Sequence, residues 1–261
     1  VNHTAIVAAA DRIARAWESH TPCEPVRDLL PENDLSSAYA IQDHNTKRWE
    51  AGGRRVCGRK IGLTSTAIQT QLGVDQPDYG MLWADTCYTD AEPVPLSRIL
   101  QPRAEGEIAF VLDRDLDREG LVITDVISAV AYALPAIEVV GSRVRDWDIR
   151  ILDTVADNAS SGAFVLGAMP ASLGSFDPRM CGMVIERRGE PVSVGAGAAC
   201  LGNPLTAVLW LARKMVAVGR PLRAGEVVMS GGLGPLFPVV PGDVLELRIH
   251  GLGEVRAVLG A

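Results

Sequence analysis

Beyond Gly53 the chain breaks into short apolar runs separated by glycine and proline, at 56–61, 107–112, 131–140, 163–166, 182–187, 227–230, 244–249 and 254–259. Each has the length and bounding residues of a strand. Few helical patterns fall between them, so the strand-helix-strand alternation of a doubly wound parallel sheet is missing. Strands that outnumber helices without that alternation predict an α+β domain on a bent or rolled β-sheet.

The segment before this change of texture reads as helical. Residues 4–18 place Ile6, Ala9, Ile13 and Trp17 on one stripe, and a second helix over 36–50 stops at Gly52-Gly53. A loop with three prolines, 21–33, joins them. The expected division is therefore a helical N-terminal lobe over 1–55 and a β-roll domain over 56–261. In the β-rich domain a single helix is well marked over 203–218, with Asn203 as N-cap, Pro204 in the first turn and Gly219 past its end. Its stripe of Leu205, Val208, Leu209, Ala212, Met215 and Val216 should pack on a sheet. A shorter helix is expected over 66–72, capped by Ser65 or Thr66, the latter with Gln69 as a capping box, and stopped by Gly73.

With 261 residues, 48% of them hydrophobic, the chain can bury a core of its own. A formal charge of -7 and the lack of a lysine or arginine run argue against a nucleic-acid partner or an anionic membrane surface. A small molecule is the expected partner. Cys23, Cys57, Cys87, Cys181 and Cys200 form no CxxC pair, which suits free thiols in a reducing compartment. The N-terminus mixes acids and bases at helical spacing and does not read as a signal peptide, and no run of eighteen apolar residues offers a membrane span. The expected location is the cytoplasm.

Several chemistries are excluded by inspection. GAGAAC at 195–200 lacks the third glycine of a dinucleotide fingerprint, and neither a phosphate-binding GxxxxGK[ST] loop nor a GxSxG elbow occurs. The four histidines, His3, His20, His44 and His250, fall in no metal-ligand spacing. Acid-base chemistry must come from carboxylates or lysine.

QPRAEGEIAFVL, 101–112, puts Glu105 and Glu107 at the mouth of an apolar run. Residues two apart on a strand face the same way with Cα atoms roughly 7 Å apart. At an effective dielectric of about 20, two charges at that distance repel by about 2 kcal/mol. Taken alone, an ExE pair is more often a solvated strand end. Glu138 changes the balance: it is a lone carboxylate inside the apolar stretch AYALPAIEVV. Buried charges are paired or hold metals. Three carboxylates from two strands, without histidine or thiolate, make a hard oxygen site suited to Mg²⁺ or Mn²⁺. The competing reading pairs these acids with Arg143 and Arg145 in a structural network.

Lys60, in GRKIGLTS at 58–65, lies within a strand between glycines that allow close approach. Either it is buried, paired and shifted in pKa, or it snorkels from a strand edge. Asp78, in VDQPDYGML, reads as a turn acid or a functional one, and the cluster Asp157 to Ser161 reads as a polar loop with capping potential.

Taken together, GRKIGLTS, QPDYG, PRAEGEIAFVL, PAIEVVGSR, DWDIRILDTVADNASSGAFVLG and GAGAACLGNP resemble the 2-hydroxypenta-2,4-dienoate hydratases (2-keto-4-pentenoate hydratases) of the fumarylacetoacetate hydrolase superfamily. The likeness spans nearly the whole chain, with the motifs in the family's order. It implies a divalent metal, Mg or Mn, on Glu105, Glu107 and Glu138, with Lys60 and Asp78 beside the substrate and Ser160 lining the same pocket. It also implies a rolled mixed β domain with a helical N-terminal lobe, assembled as a homo-oligomer, pentamer or decamer, sometimes associated with a decarboxylase partner.

The reaction so implied turns 2-hydroxypenta-2,4-dienoate, or a short alkyl homologue, into 4-hydroxy-2-oxopentanoate or its homologue during aromatic-compound degradation. Rival readings are the sister 2-oxo-3-hexenedioate (4-oxalocrotonate) decarboxylase, a hydratase for a longer dioate, and a non-catalytic ligand-binding protein of the same fold. Retention of all three acids with Lys60 and Asp78 argues against the last. QPRAEGE and QPDYG resemble the hydratase branch more than the decarboxylase one.

Overall fold

The computed structural model describes residues 3–65, 69–70 and 74–261. Two helices open the chain, α1 (His3–Ser19) and α2 (Leu35–Ala51). Asp34 caps α2 by accepting from the Ser37 amide, and Gly52 ends it. Strands β1 (Val56–Gly62), β2 (Asp78–Trp83), β3 (Cys87–Thr89), β4 (Pro93–Pro95) and β5 (Arg103–Leu112) follow. Then come α3 (Ile123–Ala129), β6 (Val130–Val140), α4 (Ile151–Ala156), β7 (Ala163–Leu166), β8 (Gly182–Arg187) and β9 (Glu190–Ala196). The chain closes with α5 (Pro204–Ala217), β10 (Val227–Met229), β11 (Phe237–Pro238), β12 (Val244–Ile249) and β13 (Gly253–Gly260).

The larger sheet runs β2-β1-β10-β5-β6-β7-β3, with β11 paired to β5. It is mixed, since β1–β10 and β3–β7 are parallel and its other pairs antiparallel. It is also curled. Its first and last strands, β2 and β3, are joined by the single turn Ala84–Thr86. Six inter-strand spacings laid flat would cover about 29 Å, whereas that connection reaches at most about 14 Å. The two edges must therefore bend toward each other, and Leu82 of β2 and Phe164 of β7 accordingly belong to one buried apolar cluster with Ala109, Ala136 and Met229. A smaller sheet, β4-β13-β12-β8-β9, covers the opposite face. Gly106 of β5 marks that face, lying against Leu247, Ile185 and Met183 of the smaller sheet.

With both faces of the larger sheet covered, its β5 and β6 are buried almost continuously, whereas β12 and β13 of the smaller sheet alternate. Helix α5 has the expected cap: the Asn203 carboxamide accepts from the Leu205 amide at 3.0 Å. Its Leu205, Val208, Ala212 and Met215 are buried, whereas Leu209 and Val216 are half-buried and packed against the same core.

Two departures from the sequence reading matter for the site. Strand β5 begins at Arg103, so Glu105 and Glu107 lie inside the strand and not at its mouth. Asp78 opens a fully buried strand, β2, in place of the expected turn. The apolar surface of α1 and α2 is shared with α4, through Ala9, Ala10, Ile13, Ala38, Ile41, Leu152 and Val155. That core fixes where the segment after α4 runs. The expected helix over 66–72, with Ser65 or Thr66 as cap and Gly73 as stop, lies outside the described residues except for Gln69 and Thr70, which are helical. All five cysteines are free, and among the described residues no helix is long and apolar enough to cross a membrane.

Candidate metal centre and active site

Register alone brings the acids together. Glu105 of β5 is the direct partner of Glu138 of β6, and Glu107 lies two residues further on the same face. Carboxylate oxygens of all three approach within 4.8 Å of one another. Glu107 and Glu138 are completely buried and Glu105 is half-buried. Lys60 of β1 joins the same face through its row partners Met229 and Ala109. Its ammonium is 3.2 Å from Glu138 Oε2 and donates to the Ala159 carbonyl at 2.9 Å. Asp78, paired with Gly62 across β1–β2, completes the group.

This charge distribution is unbalanced. Four carboxylates surround one ammonium, and Glu107 Oε1, Asp78 Oδ1 and both Glu138 oxygens accept no hydrogen bond from the described residues. Glu107 Oε2, by contrast, accepts from the Gly231 amide at 2.7 Å. Burial, reinforced by Glu138 and Glu105, pushes the Glu107 pKa well above the ordinary carboxylate value. Burial likewise moves Glu105 up to about 7, with Lys60 opposing and Glu138 adding to the rise. Buried oxygens without donors, clustered this tightly, fit a divalent cation with oxygen preference.

Lys60 moves opposite to what burial alone would do. Desolvation favours the neutral amine, but Glu138, Glu105, Asp78 and Glu107 outweigh it and hold the ammonium pKa above its ordinary value. A cation held this firmly is an electrostatic donor, not a base. Asp78 is the contrasting group: burial raises it to about 6, against the pull of Lys60 and a hydrogen bond from Thr154. That bond runs from Thr154 Oγ1 to Asp78 Oδ2 at 3.3 Å, and Ser160 Oγ is 3.5 Å from the same Thr154 hydroxyl.

The structural-network alternative for the acids does not hold. Arg143 is paired with Asp157, and Arg145 reaches Glu24 at 3.1 Å, both away from the glutamates. Thr154 and Asn158 lie in the polar stretch the sequence pointed to but had no role of their own there, and the loop Gly231-Gly232 was missed; its Gly232 lies so close to Glu105 that a Cβ there would sit 2.3 Å from Oε2. For Asn158 a signal existed in the polar run before β7. For the loop the only signal is its two adjacent glycines. Outside the triad a cleft of about 550 Å³ opens, lined by Ile61, Thr64, Arg103, Glu105, Val194 and Leu233 among others.

A curled mixed sheet, a second sheet on its outer face and a triad of carboxylates on its inner face define the class. The chain belongs to the fumarylacetoacetate hydrolase family: the model for the fumarylacetoacetate (FAA) hydrolase C-terminal region matches residues 56–259. Its relatives at high identity are hydratases. The chain is 58% identical over 253 residues to the TodF product hydratase of Pseudomonas putida F1, covering 97% of this chain and 94% of that protein. It is 56% identical over 248 residues to the 2-keto-4-pentenoate hydratase of Paraburkholderia xenovorans LB400, covering 95% and 92%. Among solved structures, 4-oxalocrotonate decarboxylase from Pseudomonas putida G7, complexed with magnesium and adipate, matches with a TM-score of 0.94 at 37% identity over 99% of this chain and 98% of that one.

Proposed function

We propose that this chain is a divalent-metal-dependent hydro-lyase that hydrates 2-hydroxypenta-2,4-dienoate, or a short alkyl homologue, to 4-hydroxy-2-oxopentanoate or its homologue during aromatic-compound degradation. The observation that carries this reading is the buried triad of Glu105, Glu107 and Glu138, short of hydrogen-bond donors and facing the Lys60 ammonium. Identity of 58% and 56% to hydratases, against 37% to the decarboxylase structure, supports hydration over decarboxylation.

Glu105, Glu107 and Glu138 would hold Mg²⁺ or Mn²⁺, which when bound supplies Lewis acidity toward the carboxylate and C2 oxygen of a 2-oxo acid. The chain's own residues do the rest. Lys60, kept charged by its acidic neighbours, donates to the C2 oxygen and stabilises the negative charge that develops there. The hydroxyl proton is lost from C2–OH and a proton arrives at C5, giving a 2-oxo-3-enoate. Asp78, whose pKa near 6 leaves it mostly ionised at neutral pH, accepts a proton from the water that adds at C4, while C3 takes up a proton. Ser160 and Thr154 orient Asp78 and that water from the same side.

The same reading includes a cytoplasmic homo-oligomer, pentamer or decamer, with a decarboxylase as possible associate, and a working division at about residue 55 between helical lobe and β-roll. The match to the decarboxylase fold keeps one rival, loss of CO₂ from 2-oxo-3-hexenedioate. The test follows dienoate absorbance with added Mg²⁺ or Mn²⁺, beside the hexenedioate with CO₂ detection. Metal-dependent loss of the dienoate without CO₂ is the expected result. Turnover without metal, or CO₂ release from the hexenedioate as the faster reaction, would overturn the proposal.

A further inference from the structure

The 158–160 turn has an unusual backbone. Asn158, Ala159 and Ser160 have φ of 55°, 51° and 54°, three consecutive non-glycine residues in the left-handed region. Each such residue costs roughly 1 kcal/mol or more relative to a right-handed one, so the turn persists only if its surroundings impose it. What it delivers is specific. The Ala159 carbonyl it presents accepts from Lys60 Nζ, and Ser160 Oγ is brought beside Thr154.

Two groups impose the turn. The Asn158 carboxamide is clamped on β2, accepting from the Met81 amide at 2.7 Å and donating to the Met81 carbonyl at 2.9 Å. The Arg143 guanidinium spans the turn from end to end. Its Nε donates to Asp157 Oδ1, one terminal nitrogen donates to the Asp157 carbonyl at 2.6 Å, and the other donates to the Ser161 carbonyl at 2.9 Å. The Arg143 amide also donates to Asp157 Oδ2 at 3.0 Å. Both side chains are almost fully buried. From outside, the Trp17 ring of α1 lies 5.4 Å from the guanidinium carbon, which ties the N-terminal helix to the same clamp.

We infer that Arg143 is a positioning residue for the reaction: by bridging Asp157 and the Ser161 carbonyl it holds the left-handed 158–160 turn, and through that turn it aims the Lys60 ammonium. A lysine ammonium has three donors. The Ala159 carbonyl takes one and Glu138 faces a second, which leaves the third for the substrate oxygen. If the turn relaxes, the carbonyl swings away, one anchor is lost, and the ammonium can collapse onto the carboxylates. Arginine is needed because the task is planar and multidentate; a lysine at 143 could not reach the Asp157 carboxylate and both carbonyls together.

This inference rests on the role of Lys60 proposed above, and the test separates the two. The variants are R143K, K60A, the double variant R143K/K60A, and the near-isosteric D157N in case R143K does not fold. Thermal melts and Mn²⁺ titration accompany the kinetics. A misplacement of the catalytic group of about 1 Å can cost about 10²-fold, so R143K should lower kcat between about 10-fold and 10²-fold, with KM and Mn²⁺ affinity within about threefold. D157N should lower kcat in the same sense.

The decisive readout is coupling. On the K60A background R143K should cost less than about twofold more, because residues acting as one unit are not additive. A merely structural Arg143–Asp157 pair would lower the melting temperature and multiply the K60A defect by the full R143K factor, or leave kcat per folded site unchanged; either result overturns the inference while K60A remains impaired. Normal kcat in folded K60A would instead remove the proposed role of Lys60, and the positioning inference with it.

Discussion

Glu105 and Glu138 are direct cross-strand partners on β5 and β6, two carboxylates set opposite each other in an antiparallel ladder, with a third, Glu107, on the same face. Like charges in that relation oppose pairing of the strands. The single ammonium among them, on Lys60, faces Glu138. The site is thus a strained arrangement that gains from a cation.

Removal of metal should therefore make stability pH-dependent. In the metal-free protein Glu107 is held well above the ordinary carboxylate value of 4.5 and Glu105 at about 7, in both cases mainly by burial. An acid whose folded pKa is raised binds its proton more tightly in the folded state, so stability falls as pH rises from the unfolded value through the folded one. Thermal melts of EDTA-treated protein should drop between about pH 5 and pH 7, whereas melts with excess Mg²⁺ should not. Calorimetric titration of Mn²⁺ at pH 6.5 in buffers of different ionisation enthalpy should show proton release. Metal binding without proton release would contradict the raised pKa values.

Glu107→Gln should separate stability from activity. The amide retains an acceptor for the Gly231 amide but removes one buried charge from the triad. Metal-free Glu107→Gln should melt at or above the wild-type temperature at pH 8, while metal affinity falls by at least about tenfold, the range seen when a site loses coordinating support. Loss of both together would mean that Glu107 serves mainly the core.

The contribution of Asp78 should appear as an acid limb. The base must be ionised to accept a proton, so kcat should decline as pH falls below about 6. A general-base step contributes about 10² to 10⁴-fold, which is the loss expected for Asp78→Asn at neutral pH, together with disappearance of that limb. An Asp78→Asn enzyme that keeps the limb would assign it to another group.

The features legible in the sequence are those whose causes are local. Helix α5 could be placed from Asn203, Pro204 and its apolar stripe because cap, first turn and packing face all lie within fifteen residues. The strand containing Glu138 was visible because ten neighbours are apolar. Strand β9 was missed: Glu190, Pro191 and Ser193 break its pattern, which an edge strand of the smaller sheet tolerates. The start of β5 was missed for a related reason, since Glu105 and Glu107 look like a solvated end. Their burial depends on Glu138, more than thirty residues away, and on Gly231, 124 residues beyond Glu107. The closing of the sheet was hidden as well, because it follows from a three-residue link between strands at opposite edges. Arg143 shows the limit most plainly. Proximity in sequence to Glu138 pointed to the wrong partner, and only the fold of 151–161 brings Asp157 to it.

Two adjacent glycines give the sharpest paired test of how the site is supported. Gly232 leaves room for Glu105, because a Cβ there would lie 2.3 Å from Oε2, the free end of a flexible side chain. Gly231 instead has φ of 101°, and a Cβ on it would meet the Thr64 side chain at 2.4 Å. Gly232→Ala should therefore leave the fold intact and displace the Glu105 carboxylate, weakening Mn²⁺ binding by about tenfold or more with little change in the metal-free melting temperature. Gly231→Ala should strain the backbone itself, at a cost of about 1–3 kcal/mol, and lower the melting temperature whether or not metal is present. The measurement is Mn²⁺ titration beside metal-free thermal melts for the two variants. If Gly232→Ala lowers the melting temperature as much as Gly231→Ala does and binds Mn²⁺ normally, Glu105 is not held where the chelating geometry requires it.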